Sequence, residues 1–147
     1  MKYLQDETDF EITLSPQTPA VASVILLHGL GADGHDFVPI VDELGLPGTL
    51  PVRFVFPHAP LRPVTVNNGY VMRAWYDIKS FTPAGRADLT GTVESSRRVA
   101  DYIDREQQRG IEASRVVLAG FSQGGAVALY TGLRYPQRLA GILAMSC

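Results

Sequence analysis

The chain of 147 residues reads as an α/β protein, a mostly parallel sheet with helices on both faces. Three observations predict this. Val24-Ile25-Leu26-Leu27 and Val116-Val117-Leu118-Ala119 are short continuous apolar runs, the composition of strands buried on both faces. Stretches with apolar residues at helical spacing separate the strands. Both runs lead directly into glycine-containing turns that open a helix.

Taken in order, Phe10-Glu11-Ile12-Thr13-Leu14 alternates apolar with polar and predicts a half-exposed strand, closed by Ser15-Pro16. It and Val24–Leu27 form a hairpin-like opening pair. After His28-Gly29-Leu30-Gly31-Ala32-Asp33-Gly34, residues Phe37, Ile40, Val41 and Leu44 fall at helical spacing, and Gly45, Pro47 and Gly48 end that helix. Val52–Phe56 is a further strand, stopped by Pro57. From His58 to Ala87 no period is evident. Pro60, Pro63, Gly69, Pro83 and Gly85 make this a long loop, and Tyr70, Trp75, Tyr76 and Phe81 predict a packed wall near a site. Asp88 caps a helix in which Val93, Arg97, Ala100 and Ile103 or Asp104 mark successive turns. Val116–Ala119, a helix from Gly124 to Arg134 and a last buried strand over Leu139–Met145 complete the series.

With 46% hydrophobic and 19% charged residues, the composition is globular, and residues 1–147 are expected to form a single domain. A net charge of -2 and a pI near 5.9 argue against nucleic acid or an anionic membrane surface as the main partner and favour small neutral substrates. The one cysteine, Cys147, excludes an intrachain disulfide and suits a reducing compartment. Acids in Met1–Glu7 stand where a signal peptide would be apolar, and no run reaches transmembrane length, so the expected location is cytoplasmic.

Gly120-Phe121-Ser122-Gln123-Gly124 fits G-x-S-x-G between a predicted strand and a predicted helix. A sharp strand-to-helix turn lifts a serine hydroxyl above the sheet edge, which is how such a serine becomes a nucleophile; the bland alternative is an ordinary tight turn. Gly29–Gly34 also matches G-x-G-x-x-G, but a dinucleotide site needs an acid at the end of the next strand, and Val55-Phe56-Pro57-His58 has none. The competing reading makes this loop half of an oxyanion hole, since His-Gly followed by glycine lets a backbone amide approach the substrate.

Four blocks carry a resemblance: Leu27-His28-Gly29-Leu30-Gly31-Ala32-Asp33-Gly34, Pro57-His58-Ala59-Pro60 with Arg62-Pro63-Val64-Thr65, Ala74-Trp75-Tyr76-Asp77, and Ala119-Gly120-Phe121-Ser122-Gln123-Gly124-Gly125-Ala126. In this order the chain resembles the carboxylesterase and acyl-protein thioesterase family of α/β-hydrolases. The resemblance implies Ser122 as nucleophile and the backbone amides of Leu30 and Gln123 as the oxyanion hole. It also implies a substrate pocket lined by Trp75, Tyr76 and His28. By the same resemblance the substrates are small-molecule esters or acyl thioesters, no metal or organic cofactor takes part, and several members are homodimers.

A triad of this fold runs Ser, acid, His along the chain, and residues 123–147 contain no Asp, Glu or His. His28 is expected to fix its loop, His35 to face solvent and His58 to begin the long loop, while Asp33, Asp36 and Asp77 suit turns and caps. The leading expectation is a serine hydrolase whose acid, base and last strands and helices lie beyond residue 147. The alternative is a truncated or degenerate scaffold that binds acyl ligands or a partner without turnover.

Overall fold

The computed structural model describes residues 2–82 and 88–147. Its strands are β1 Tyr3–Glu7, β2 Glu11–Pro16, β3 Ala22–Leu27, β4 Val52–Pro57, β5 Leu61–Val64, β6 Tyr70–Arg73, β7 Val116–Phe121 and β8 Gly141–Met145. Its α-helices are α1 Ile40–Leu44, α2 Leu89–Gln108 and α3 Gln123–Arg134. Six strands make one sheet in the order β1-β2-β4-β3-β7-β8, and β5 and β6 form a separate two-stranded hairpin. The β1/β2 and β2/β4 pairs are antiparallel, and β4/β3, β3/β7 and β7/β8 are parallel.

The path of the chain explains the layers. From β3 it crosses through α1 to β4 on one side, then returns through α2 to β7 on the other side, so the direction of winding reverses between β3 and β7. Right-handed crossovers in opposite directions put their helices on opposite faces. Accordingly Val41 of α1 packs with Leu26, Phe54 and Phe56 on one face. Val99 and Ile103 of α2 and Val127 and Ala128 of α3 pack with Ile25, Leu27, Val55 and Leu118 on the other. Neighbouring strand residues such as Leu26 and Leu27 serve opposite cores, which is why these strands are apolar at every position.

The structure corrects three expectations. The opening antiparallel pair is β1 with β2, and β4 separates β2 from β3. Residues 4–7 of β1 are exposed, and an edge strand of this kind has no apolar face to betray it. The segment from His58 contains the β5/β6 hairpin and a 3-10 turn at Thr65–Asn67; Pro83 and Gly85 of that segment lie outside the described residues. The buried face of α2 is Gly91, Ser95, Val99, Ile103 and Glu106, not the face of Val93, Arg97 and Ala100. Three of those five residues are small or polar, and each is held by a partner rather than by hydrophobicity.

Asp88 caps α2 as expected, its Oδ1 accepting the Gly91 N–H at 3.1 Å. The other end of α2 is fastened by Glu106, which is fully buried. Its Oε1 accepts from Ser23 Oγ at 2.5 Å and from Arg53 at 2.8 Å, and its Oε2 from Arg109 at 3.0 Å. Ser23 and Arg53 stand at the starts of β3 and β4, so the last turns of α2 are locked to the end of the sheet remote from Ser122. Burial pushes the Glu106 carboxyl up, but the Ser23 hydroxyl and the Arg53 and Arg109 guanidinium groups outweigh it and hold the group below its ordinary 4.5. Removing one partner of a buried ion pair leaves the others uncompensated, so Glu106→Gln should destabilise the fold by about 3 kcal/mol at pH 7. A folded pKa below the unfolded one means that this contribution is complete above the ordinary carboxylate range and disappears as pH falls through the depressed value. Melting curves of both proteins between pH 7 and pH 3 should therefore converge at the acid end; a gap that stays constant would rule out the charge as its source.

Candidate active site

In a parallel sheet, ligands gather outside the carboxyl ends of the strands, at the point where the winding reverses. That point is the crevice between β3 and β7, paired in parallel with Leu27 opposite Gly120. The next residues on the two sides are His28-Gly29-Leu30 and Phe121-Ser122-Gln123. Adjacent strands thus bring the two glycine loops together.

Ser122 has φ 54° and ψ -117°, a positive φ in a residue other than glycine. Such a conformation costs roughly 1–3 kcal/mol and persists only where its surroundings hold it. Here the Ser122 N–H donates to the Met145 carbonyl at 2.8 Å, at the end of β8, and its carbonyl accepts the Ala126 N–H at 3.1 Å inside the first turn of α3. Space sets the glycines of the motif. A β-carbon on Gly120 would overlap the backbone of Gly124, and one on Gly124 would overlap the carbonyls of Leu27 and His28.

Ser122 opens on a cavity of about 370 Å³ whose lining includes Leu30, Tyr76, Ile78, Phe81, Gln123 and Ala126. The exposed surface of this lining is mostly hydrocarbon. Gln123 is the first residue of α3, where backbone N–H groups lack intrahelical partners and the helix dipole favours negative charge. Leu30 meets the same cavity from the loop after β3.

Trp75 and His28 do not line this cavity, contrary to expectation. Both are buried beneath it, with 0% and 1% exposure. Each is held by hydrogen bonds to backbone. The indole Nε1–H of Trp75 donates to the His28 carbonyl at 2.8 Å, its backbone N–H donates to Gln123 Oε1 at 2.7 Å, and its carbonyl accepts from Ser95 Oγ of α2. Gln123 also donates from Nε2 to the Tyr76 carbonyl at 2.8 Å. One side-chain amide therefore grips both sides of a peptide segment 47 and 48 residues away, and Tyr76, next to Trp75, lines the cavity. The sequence motif points to the backbone of Gln123; the work of its side chain has no local signal.

The three histidines are occupied elsewhere. His28 accepts the Ala59 N–H at Nε2 (2.9 Å), and its Nδ1 faces the Gly29 carbonyl at 2.7 Å. His58 accepts the Gly34 N–H at Nδ1 (3.0 Å), and burial holds its pKa below the ordinary value. His35 is exposed and pairs with Glu7 at 2.7 Å. Asp33 closes a turn by accepting the His35 N–H, and Asp77 accepts from both the N–H and the hydroxyl of Thr65. Those bonds from Thr65 hold the Asp77 carboxyl below its ordinary range. Among the described residues, no group of three or more His, Cys, Asp or Glu is placed to hold a metal ion, and no helix is long and apolar enough to cross a membrane.

The fit of Gly124 against β3 has a measurable consequence. Gly124→Ala must push α3 from the Leu27 and His28 carbonyls, and overpacking against rigid backbone should lower stability by about 3 kcal/mol. Chemical denaturation would measure this; a midpoint unchanged from wild type would mean that the contact is looser than described.

The chain matches the phospholipase/carboxylesterase family over residues 8–147. It is 42% identical over 135 residues to acyl-protein thioesterase 1 of Schizosaccharomyces pombe, covering 92% of this chain and 59% of that protein. A second acyl-protein thioesterase 1, from Cryptococcus neoformans, is 37% identical over 139 residues, with 92% and 58% covered. Among solved structures, Arabidopsis thaliana SOBER1 superposes with a TM-score of 0.78 at 35% identity, covering 84% of this chain and 60% of that one. Zea mays acyl-protein thioesterase 2 superposes with a TM-score of 0.73 at 26% identity, covering 90% and 62%. The chain thus spans somewhat under two thirds of the length of the relatives it matches. Its fold and its family are those of the α/β-hydrolases, and it belongs to the phospholipase/carboxylesterase family.

Proposed function

We propose that this chain carries the nucleophile and the oxyanion hole of a serine hydrolase acting on carboxylic esters and acyl thioesters with an apolar acyl group. The observation that carries the reading is Ser122, held at positive φ at the head of α3 in a cavity shared with Leu30 and Gln123. The hydroxyl attacks the acyl carbonyl while a base removes its proton. The backbone amides of Leu30 and Gln123 receive the charge that develops on the carbonyl oxygen. The alcohol or thiol leaves with a proton, and water then releases the acid from the acyl-enzyme. The mainly apolar lining supports an apolar acyl group, and the relatives named as thioesterases support the thioester class.

The base and its acid partner are assigned, in the order Ser, acid, His, to positions beyond residue 147. The histidines and the aspartates described above are engaged in holding loops. On this reading the 147 residues alone have an oxyanion hole and a weakly activated hydroxyl.

The test uses the protein as its own cell produces it. A fluorophosphonate probe should label Ser122, and Ser122→Ala should lower hydrolysis of p-nitrophenyl acyl esters and of acyl thioesters by at least about a thousandfold. Unchanged hydrolysis in that variant would end the proposal. Saturable binding of an acyl ligand with neither labelling nor turnover would favour a binding scaffold instead.

A further inference from the structure

We propose that His28 is the positioning residue of the oxyanion hole. Its Nδ1–H holds the Gly29 carbonyl and thereby fixes the Gly29–Leu30 peptide with the Leu30 N–H turned toward Ser122. This rests on the hydrolase reading of Ser122 given above.

The tautomer follows from the partners. Ala59 offers an N–H to Nε2 at 2.9 Å, so Nε2 must present its lone pair. In a neutral imidazole the proton is then on Nδ1, 2.7 Å from the Gly29 oxygen, which can only accept. Each ring nitrogen meets a backbone group of the complementary kind. Trp75 lies against the ring, with centroids 5.2 Å apart, and leaves little room for the imidazole to turn over.

The Gly29 carbonyl and the Leu30 N–H belong to one peptide unit. In the trans form, and no peptide bond described is cis, they point in opposite directions. Anchoring the oxygen on the His28 side therefore directs the N–H to the other side. Flanking atoms are held as well. The His28 carbonyl accepts from Trp75, the Gly31 N–H donates to the Arg73 carbonyl at 2.9 Å, and the Ala32 N–H closes a turn onto the Gly29 oxygen at 3.3 Å. Gly31, at φ 77°, occupies the turn position where a positive φ is required. The bond from Nδ1 is the shorter of the two at the Gly29 oxygen and the one made by a side chain.

Protonation would place an N–H on Nε2 facing the Ala59 N–H, donor against donor. Burial opposes this and holds the His28 pKa below its ordinary value, with His58 acting in the same direction; the Gly29 carbonyl, Asp33 and Asp36 oppose the shift. Glu7, Arg73 and His35 face His58 in turn. The geometry keeps the loop in its set position through neutral pH.

His28→Asn and His28→Gln separate the two ring nitrogens. An asparagine amide reaches the place of Nδ1 and can still donate to Gly29; a glutamine amide reaches the place of Nε2 and serves Ala59 instead. In the protein as its cell produces it, H28Q should lose about a hundredfold in kcat with KM unchanged, the loss typical of one oxyanion donor. H28N should lose about tenfold or less. Equal losses in the two variants, or a wild-type kcat in H28Q, would overturn the proposal. If the wild-type protein is not labelled by fluorophosphonate, it is the nucleophile reading that fails. Should the variants not fold, long-range proton–nitrogen NMR on the wild-type chain at pH 7 decides: a proton on Nδ1 with a bare Nε2 is required, and a proton on Nε2 overturns the inference.

Discussion

The backbone of Gly124 rests on the carbonyls of Leu27 and His28 with no room for a β-carbon, and the whole upper edge of the sheet is arranged by that contact. It brings the first turn of α3 against the end of β3. Ser122 is thereby forced into its strained turn, and Gln123 comes within reach of Trp75. The Trp75 indole donates to the His28 carbonyl, so hydrogen bonds through Trp75 join the segments that Gly124 packs together.

The buried charged anchor and the candidate site occupy opposite ends of the strands. At the starts of β3 and β4, Glu106 gathers Ser23, Arg53 and Arg109 in a buried charged cluster. At the strand ends, the side chains of His28, Trp75 and Gln123 are tied to backbone amides and carbonyls. The dipole of α3 and the amides at its head, which lack intrahelical partners, favour negative charge beside Ser122. Helix α2 links the two ends: Glu106 anchors its last turns, Ser95 in its middle fastens Trp75, and Asp88 at its start accepts the Asp77 N–H.

Local patterns in the sequence reveal the strands, the serine turn and the glycine loop, because each depends on residues within a few positions. A buried strand must be apolar at successive positions, and a tight turn must carry glycine. Trp75 and His28, expected at the pocket and found buried, illustrate the opposite case. An aromatic ring in a stretch rich in proline and glycine is equally consistent with wall and strut. What decides is a partner 47 or 48 residues away. The buried face of α2 was hidden in the same way, since Gly91, Ser95 and Glu106 carry no hydrophobic signal. Residues 3–7 escaped because an exposed edge strand needs no pattern at all.

The β5/β6 hairpin is separate from the six-stranded sheet and is held at both ends: near its base Gly31 donates to the Arg73 carbonyl and Arg73 to the Ala59 carbonyl, and at its turn Thr65 donates to Asp77 and Val66 to the Ile78 carbonyl. Leu61, Tyr70 and Val71 on it are more than 60% exposed. The hairpin shares no strand register with the main sheet, so changes at its exposed residues leave the pairing of the six strands intact. This gives a lineage built on this scaffold an exposed surface on which selection can act apart from the six-stranded sheet.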